Sequence, residues 1–250
     1  MNLSNIKNKF SKNKMIGFIF ILPALILNLV FFVYPLIQAF RMSFYKWPVL
    51  GEKVFLALSN YTDLFQDGQF WNALGFTFEY TILVTPALFV LAFILAMFIR
   101  KPIPGTTLFR SIYFLPVVIS MTSCSLLWLW IYNDLYGILN YYLMKIGLIN
   151  EAIVWMGHKS TSLPAVSTMV TWKMAGFTMI ILLAGLQSIP QQLYEAAEVD
   201  GASYWQKITK ITIPLLRPSI ALALVVSVIG SVLAFVQFVI MTKGGPANST

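Results

Sequence analysis

Five long apolar runs constrain the fold of this chain more than any other feature of its sequence. A helix that crosses the hydrocarbon core of a bilayer needs about 20 predominantly apolar residues. The runs that meet this length are 15–40, 76–99, 108–132, 163–187 and 219–241. Apart from Arg110, near one edge, only Glu79 and Lys173 carry a formal charge inside them. The short alternating segments of an outer-membrane barrel are absent. The sequence therefore predicts an all-α, polytopic transmembrane bundle with five spans.

The composition excludes several other classes of protein. Charged residues make up 10% of the 250 residues, against about 25% in soluble domains, which argues against a cytosolic or secreted globular protein. The single cysteine, Cys124, excludes an internal disulfide framework, and the single histidine, His158, excludes a site built from several histidines. Neither G-x-S-x-G nor H-E-x-x-H occurs, so a membrane-embedded enzyme is disfavoured.

The positions of the basic residues predict an orientation. The net charge is +8, and cytoplasmic loops carry an excess of Lys and Arg. With a cytoplasmic N-terminus, the basic residues on the inside are Lys7, Lys9, Lys12, Lys14, Arg100, Lys101, Arg110, Lys207, Lys210 and Arg217. Only six fall outside, where acidic residues nearly balance them. The positive charge thus orients the chain in a cell membrane, and no basic stripe remains that would bind nucleic acid.

The first apolar run is predicted to stay in the protein. It is much longer than the roughly 7–15 apolar residues of a cleaved signal peptide, and no clear cleavage site follows it. We expect residues 1–14 to form a cytoplasmic N-terminus and residues 15–250 to form one transmembrane domain. Residues 244–246 read as Gly-Gly-Pro, a sequence typical of a loop between two elements. We therefore expect a sixth span that this sequence does not contain.

The longest inside loop, residues 188–218, is predicted to be structured. Pro190 suits the first turn of a helix, residues 191–199 are good helix formers, and Gly201 permits a C-cap or a sharp bend. Residues 202–210 then predict a second short helix. Composition alone would fit an amphipathic hairpin that lies at the membrane interface.

Seven positions of this loop resemble the coupling-loop motif in permease subunits of binding-protein-dependent ABC importers. They are Glu195, Ala196, Ala197, Asp200, Gly201, Ile211 and Pro214. Ile213 departs from the motif, which usually has Leu at that position. The resemblance extends to the sugar-importer branch, which serves the maltose, lactose and glycerol-3-phosphate class of substrates. The segments that carry it are Asn60-Tyr61, Arg110, Phe114-Leu115-Pro116, Trp172, residues 184–187 and residues 242–250.

This resemblance implies a permease subunit that forms half of a translocation path for sugars, oligosaccharides or glycosides. It implies four kinds of partner: a second homologous permease, a dimer of ATP-binding subunits, an extracytoplasmic solute-binding protein and the surrounding membrane lipid. The seven motif residues would couple this chain to the ATPase. No G-x-x-x-x-G-K-[ST] sequence occurs, so we expect the partner subunits to use ATP and this chain to bind no cofactor and no metal.

Lys173 is the exceptional charge of the fourth run. It lies about ten residues into the run, or roughly 15 Å deep, where an ionisable side chain usually faces a cavity or a partner. With Trp172 it would line the substrate path; alternatively, it would form a structural ion pair or contact carbonyl groups. Glu79 is a poor partner because it lies near the outer face. A secondary transporter or channel for a small solute is the alternative function, although midplane carboxylates and inverted repeats are absent.

Overall fold

The computed structural model describes residues 3–100 and 104–245, with side chains from residue 16 onward. Predictions about the lysine side chains of residues 7–14, about Lys101 and about residues 246–250 lie outside this described part. The chain divides into two compact units, Met1–Trp71 and Asn72–Thr250, and each is described by itself. The expected division after residue 14 stays a prediction.

The first unit contains one long apolar helical segment followed by a small hairpin. Its elements are α1 (Leu3–Asn28), a π-helical turn (Leu29–Val33), α2 (Tyr34–Met42), β1 (Tyr45–Lys46), β2 (Val54–Phe55) and α3 (Ser59–Gln66). The two strands pair antiparallel, with Tyr45 opposite Phe55. Asn60 fastens α3 to this hairpin, because its side-chain amide donates to the carbonyls of Ser43 (2.8 Å) and Tyr45 (3.1 Å). The candidate span Ile16–Met42 has 27 residues, and none of their side chains is buried.

The second unit is a helical bundle. Its elements are α4 (Gly68–Phe98, from Asn72 onward), α5 (Thr106–Val118), α6 (Met121–Ile131), α7 (Ile138–Lys145), α8 (Lys159–Gln187), α9 (Gln191–Val199), α10 (Tyr204–Lys207), α11 (Ile213–Leu215), α12 (Arg217–Val232) and α13 (Val236–Met241). Helices dominate the described residues, which confirms the predicted all-α bundle.

The third predicted span is a broken helix. The run 108–132 was expected to be one helix, but α5 and α6 meet at an angle of 98°. Ile119 and Ser120 adopt extended backbone conformations between them. The Ser120 hydroxyl then accepts a hydrogen bond from the Ser123 N–H at 3.1 Å, which caps the start of α6. The third predicted span is therefore a bent pair of helices, because a serine cap restarts the helix after the break.

The fifth predicted span is also interrupted. The run 219–241 contains α12 and α13, which are separated at residues 233–235. At its other end, α12 meets the helical segment Tyr204–Leu215 at 67°. In the described residues, three helices are long and apolar enough to cross a membrane, and the number rises to five if each bent pair is one span. The expected count of five thus depends on the two bent pairs.

Helix α8 forms the centre of this unit. In its most apolar window, 61% of the residues are buried, against 28% for α4. Two glycines allow this close packing. A Cβ atom at Gly176 would lie 2.0 Å from the carbonyl oxygen of Tyr113 on α5. A Cβ atom at Gly185 would lie 2.2 Å from the hydroxyl oxygen of Ser219 on α12. Both helix contacts therefore require a residue without a side chain.

Candidate functional site: residues 188–218 and the buried lysine

A Schellman motif ends the first helix of the loop. The N–H of Ala202 donates to the carbonyl of Ala197 (2.8 Å), and the N–H of Gly201 donates to that of Glu198 (3.0 Å). Gly201 has a φ of +71°, the left-handed conformation that this motif needs. The sequence prediction of a C-cap or sharp bend at Gly201 is confirmed. The chain consequently turns here in a defined direction and satisfies two end carbonyls of α9.

The second arm of the loop begins with a capping box. The Ser203 hydroxyl accepts from the Gln206 N–H (3.3 Å), while the Gln206 side chain accepts from the Ser203 N–H (2.7 Å). The predicted second helix, residues 202–210, instead starts at Tyr204. It continues through a π-helical turn, Ile208–Thr212, into α11. The arm is therefore longer than the sequence indicated.

A salt bridge and a buried tyrosine hold the two arms together. Lys207 Nζ lies 2.7 Å from Glu198 Oε1. Tyr194 is only 6% exposed, and its hydroxyl group is 2.9 Å from the hydroxyl oxygen of Thr212. The guanidinium of Arg100, just after α4, covers the ring at 3.9 Å from the ring centroid. Sequence reasoning did not single out Tyr194. Its signal was that it is the single aromatic residue of the nine-residue helix α9.

The bend between the arms presents an apolar tip flanked by acids. Val199 is 89% exposed, and Trp205 is 71% exposed and packs edge-on against Tyr204. The predicted coupling residues divide into two groups. Those that are exposed are Glu195, Ala196, Asp200 and Gly201, and those that are partly buried are Ala197, Ile211 and Pro214. An exposed apolar tip on a fixed support is suited to docking another protein.

Lys173 lies under the break of the third span. It is 5% exposed, and its ammonium donates to the carbonyls of Pro116 (3.0 Å), Val117 (3.3 Å) and Ile119. All three N–H donors of the ammonium group are thus engaged. The sequence left open whether Lys173 lines the substrate path, forms an ion pair or contacts carbonyl groups. These hydrogen bonds match the contact with carbonyl groups. A part for Lys173 in the substrate path stays a prediction.

Glu79 and Trp172 do not contact the Lys173 ammonium in the described residues. Glu79 forms a salt bridge with Lys159, at 2.9 Å, which agrees with the expectation that it is a poor partner for Lys173. Trp172 is 37% exposed, and its ring centroid lies 5.6 Å from that of Trp128. Trp172 and Lys173 are adjacent in sequence, but only Trp172 presents a surface. Its part in the substrate path likewise stays a prediction.

Comparisons with known proteins identify the family of this chain. Residues 56–250 match the family model described as "Binding-protein-dependent transport system inner membrane component". The lactose transport system permease protein of Rhizobium radiobacter is 34% identical, over 99% of this chain and 82% of its own length. The trehalose/maltose transport system permease protein of Thermococcus litoralis is 31% identical, over 98% of this chain and 82% of its own.

A solved structure has the same fold. It is a chain of a bacterial ABC transporter involved in the import of the acidic polysaccharide alginate, with a TM-score of 0.78 and 29% identity. The match covers 96% of this chain and 81% of that one. This chain belongs to the family of binding-protein-dependent transport system inner membrane components, and it is a multi-pass membrane permease subunit of an ABC importer.

Proposed function

We propose that this permease imports a sugar, an oligosaccharide or a glycoside, and that residues 188–218 couple it to an ATPase. The substrate class is supported by relatives named for lactose and for trehalose and maltose. The coupling function is supported by one structural observation above all: the exposed tip around Val199 and Trp205 stands on a support that is locked to the bundle by Tyr194.

The coupling loop has the mechanical properties of a rigid lever. The Schellman turn, the capping box and the Lys207–Glu198 salt bridge fix the angle between its arms. Tyr194 and Leu216 belong to the same buried cluster as Met179 and Leu182 of α8. A displacement of the tip is therefore carried into the central helix of the bundle, because close-packed side chains transmit movement and do not absorb it.

The remaining features of the proposed mechanism concern the partners. A second homologous permease supplies the other half of the path, and an extracytoplasmic solute-binding protein delivers the sugar. A dimer of ATP-binding subunits docks at the loop and uses the ATP, so this chain performs no catalysis and holds no cofactor. Its N-terminus lies in the cytoplasm. Closure of the ATPase dimer then swings the two permeases between outward-open and inward-open states.

Replacement of Gly201 tests the coupling function. In the reconstituted transporter, Gly201→Asp is expected to keep ATP hydrolysis but to lower sugar uptake at least tenfold. A Cβ atom at this position meets open space, so the side chain causes no clash. The φ of +71° strains any residue other than glycine, and a control variant must therefore carry the same strain. Asp adds a negative charge beside Asp200 and at the C-terminus of α9, where negative charge is unfavourable.

Gly201→Asn is the matched control, because Asn tolerates the left-handed conformation and has the size of Asp without its charge. It should retain most of the uptake. Normal uptake by Gly201→Asp would show that the loop does not couple. Uptake that needs an ion gradient and not ATP would indicate a secondary transporter. The sugar itself is identified by competition between labelled maltose and unlabelled oligosaccharides in the same vesicles.

A further inference from the structure

A cationic cleft lies beside the end of the candidate span in the first unit. It has a volume of about 500 Å³, within the range of roughly 300–1,000 Å³ typical of small-molecule sites. The residues that define its chemistry are Tyr34, Gln38, Arg41, Tyr45, Trp47 and Lys53. Three of them lie at helical spacing on one face of α2, and the others come from the strand and loop that follow.

The polar side chains of this lining are mainly hydrogen-bond donors. Lys53 Nζ lies 3.6 Å from the centroid of the Trp47 ring. Gln38 Nε2 donates to Tyr34 Oη at 3.0 Å, so the hydroxyl hydrogen of Tyr34 stays available as a donor. The lining contains no carboxylate, and within the described part of the chain neither Arg41 nor Lys53 forms a salt bridge. The chemistry fits a ligand with anionic oxygen atoms.

The distance of the cleft from the middle of the candidate span indicates its depth in the bilayer. Arg41 is 12 residues from the middle of the segment Ile16–Met42, or about 18 Å along the helix axis. Half of the hydrocarbon core is about 15 Å thick, so Arg41 lies at the level of the lipid head groups. Tyr34 lies below that level, about 8 Å from the middle. Val30 and Phe31, one turn deeper, are apolar and exposed.

We propose that this cleft binds the head group of an anionic phospholipid such as phosphatidylglycerol. Arg41 and Lys53 bind the phosphodiester oxygens, Tyr34 donates from below, and the acyl chains lie on the apolar surface of Val30 and Phe31. Lipid is favoured over a soluble anion because the charged end of the cleft adjoins an apolar surface inside the membrane. The site concerns the surroundings of the permease and is independent of its transported substrate.

Lipid retention by the purified chain tests this site. The chain is exchanged into detergent with equal amounts of phosphatidylglycerol and phosphatidylcholine, and bound lipid is counted by native mass spectrometry. A direct contact between a partly exposed cation and an anion contributes up to about 1 kcal/mol, which is up to about fivefold in affinity. Arg41→Gln with Lys53→Gln should therefore lower the preference for phosphatidylglycerol by up to about 25-fold.

Lys46→Gln is the matched control. Lys46 is exposed and lies next to Tyr45 on β1, but it does not line the cleft. This variant should keep the preference of the unaltered chain. An equal loss in Lys46→Gln, or an unaltered preference in the double variant, would overturn the proposal. If the double variant does not fold, the salt dependence of the unaltered chain tests the proposal. Its preference for phosphatidylglycerol should weaken on going from 0.1 M to 1 M salt, and an unchanged preference would overturn the proposal.

Two competitors distinguish the source of the anion. Glycerol phosphate carries the same anion without acyl chains, and an alginate pentasaccharide carries carboxylates without phosphate. Neither should displace phosphatidylglycerol at equal concentration, since neither contacts the apolar surface below Tyr34. Displacement by glycerol phosphate would show a soluble-phosphate site, and displacement by the pentasaccharide would show an acidic-sugar site. Either result would refute binding of the lipid.

Discussion

The buried ammonium of Lys173 replaces donors that the broken third span lacks. The last four carbonyls of a helix have no partner within it, and those of Pro116 and Val117 belong to this group in α5. Lys173 donates to both and to the carbonyl of Ile119. Lys173→Met keeps the length of the side chain but removes all three donors. We therefore expect the variant to destabilise the junction between α5 and α6.

The magnitude follows from two opposing contributions. A hydrogen bond to a charged group contributes about 1.5–3 kcal/mol, so three of them exceed the roughly 2.5–3.5 kcal/mol that an ammonium costs in the membrane interior. The net loss is about 1–6 kcal/mol. For a chain of this size, each kcal/mol lowers the unfolding midpoint by about 2–4 °C, so the middle of this range corresponds to about 7–14 °C.

A thiol-reactive dye provides the assay. Cys124 is the single cysteine of the sequence, is fully buried, and lies in α6 four residues after Ser120. Its labelling therefore reports both global unfolding and local opening of the break. In detergent, Lys173→Met should label at a lower temperature than the unaltered protein. Lys173→Arg should retain most of the stability, because a guanidinium supplies donors and remains charged.

Thr171→Val is the matched control on the same helix. The Thr171 hydroxyl is buried without a hydrogen-bond partner in the described residues, so its loss should change the midpoint little. The reasoning is refuted if Lys173→Met unfolds at the temperature of the unaltered protein, or if Lys173→Arg is as unstable as Lys173→Met. Uptake is measured on the same variants. Wild-type uptake by Lys173→Met would exclude Lys173 from the substrate path.

Two further substitutions probe the packing of the bundle and the anchor of the coupling loop. Gly176→Ala should destabilise the chain by several kcal/mol, because its Cβ would meet the Tyr113 carbonyl at 2.0 Å. Gly230→Ala is the control, since its Cβ meets nothing within 4 Å. In the same unfolding assay it should be neutral or stabilising by up to about 1 kcal/mol. Tyr194→Phe removes the hydroxyl contact with Thr212 and should cost about 1 kcal/mol. Uptake per ATP hydrolysed should fall with it, and an unchanged ratio would show that this contact does not stiffen the loop.

Local patterns in the sequence predicted much of the fold and of the candidate site. Apolar runs long enough to cross a bilayer dictate helices, since every backbone group must be satisfied within the segment. The bend at Gly201 was also predictable, because the left-handed conformation of a helix end selects glycine almost by itself. The same holds for the exposed acids Glu195 and Asp200, whose charge keeps them out of the core.

The tertiary structure alone decided what the long-range contacts are. Lys173 and the Pro116 carbonyl are 57 residues apart in the chain, and Tyr194 contacts Arg100 across an even longer separation. Ser120 could cap a helix in any sequence context. Here its cap lies at a 98° break, where the buried ammonium of Lys173 donates hydrogen bonds to the carbonyls freed on the other side. Helix formation depends on neighbours within about four residues. Helix breaks, the buried contacts of Tyr194 and clefts depend on which elements pack together, and the periodicity of the sequence does not indicate that packing.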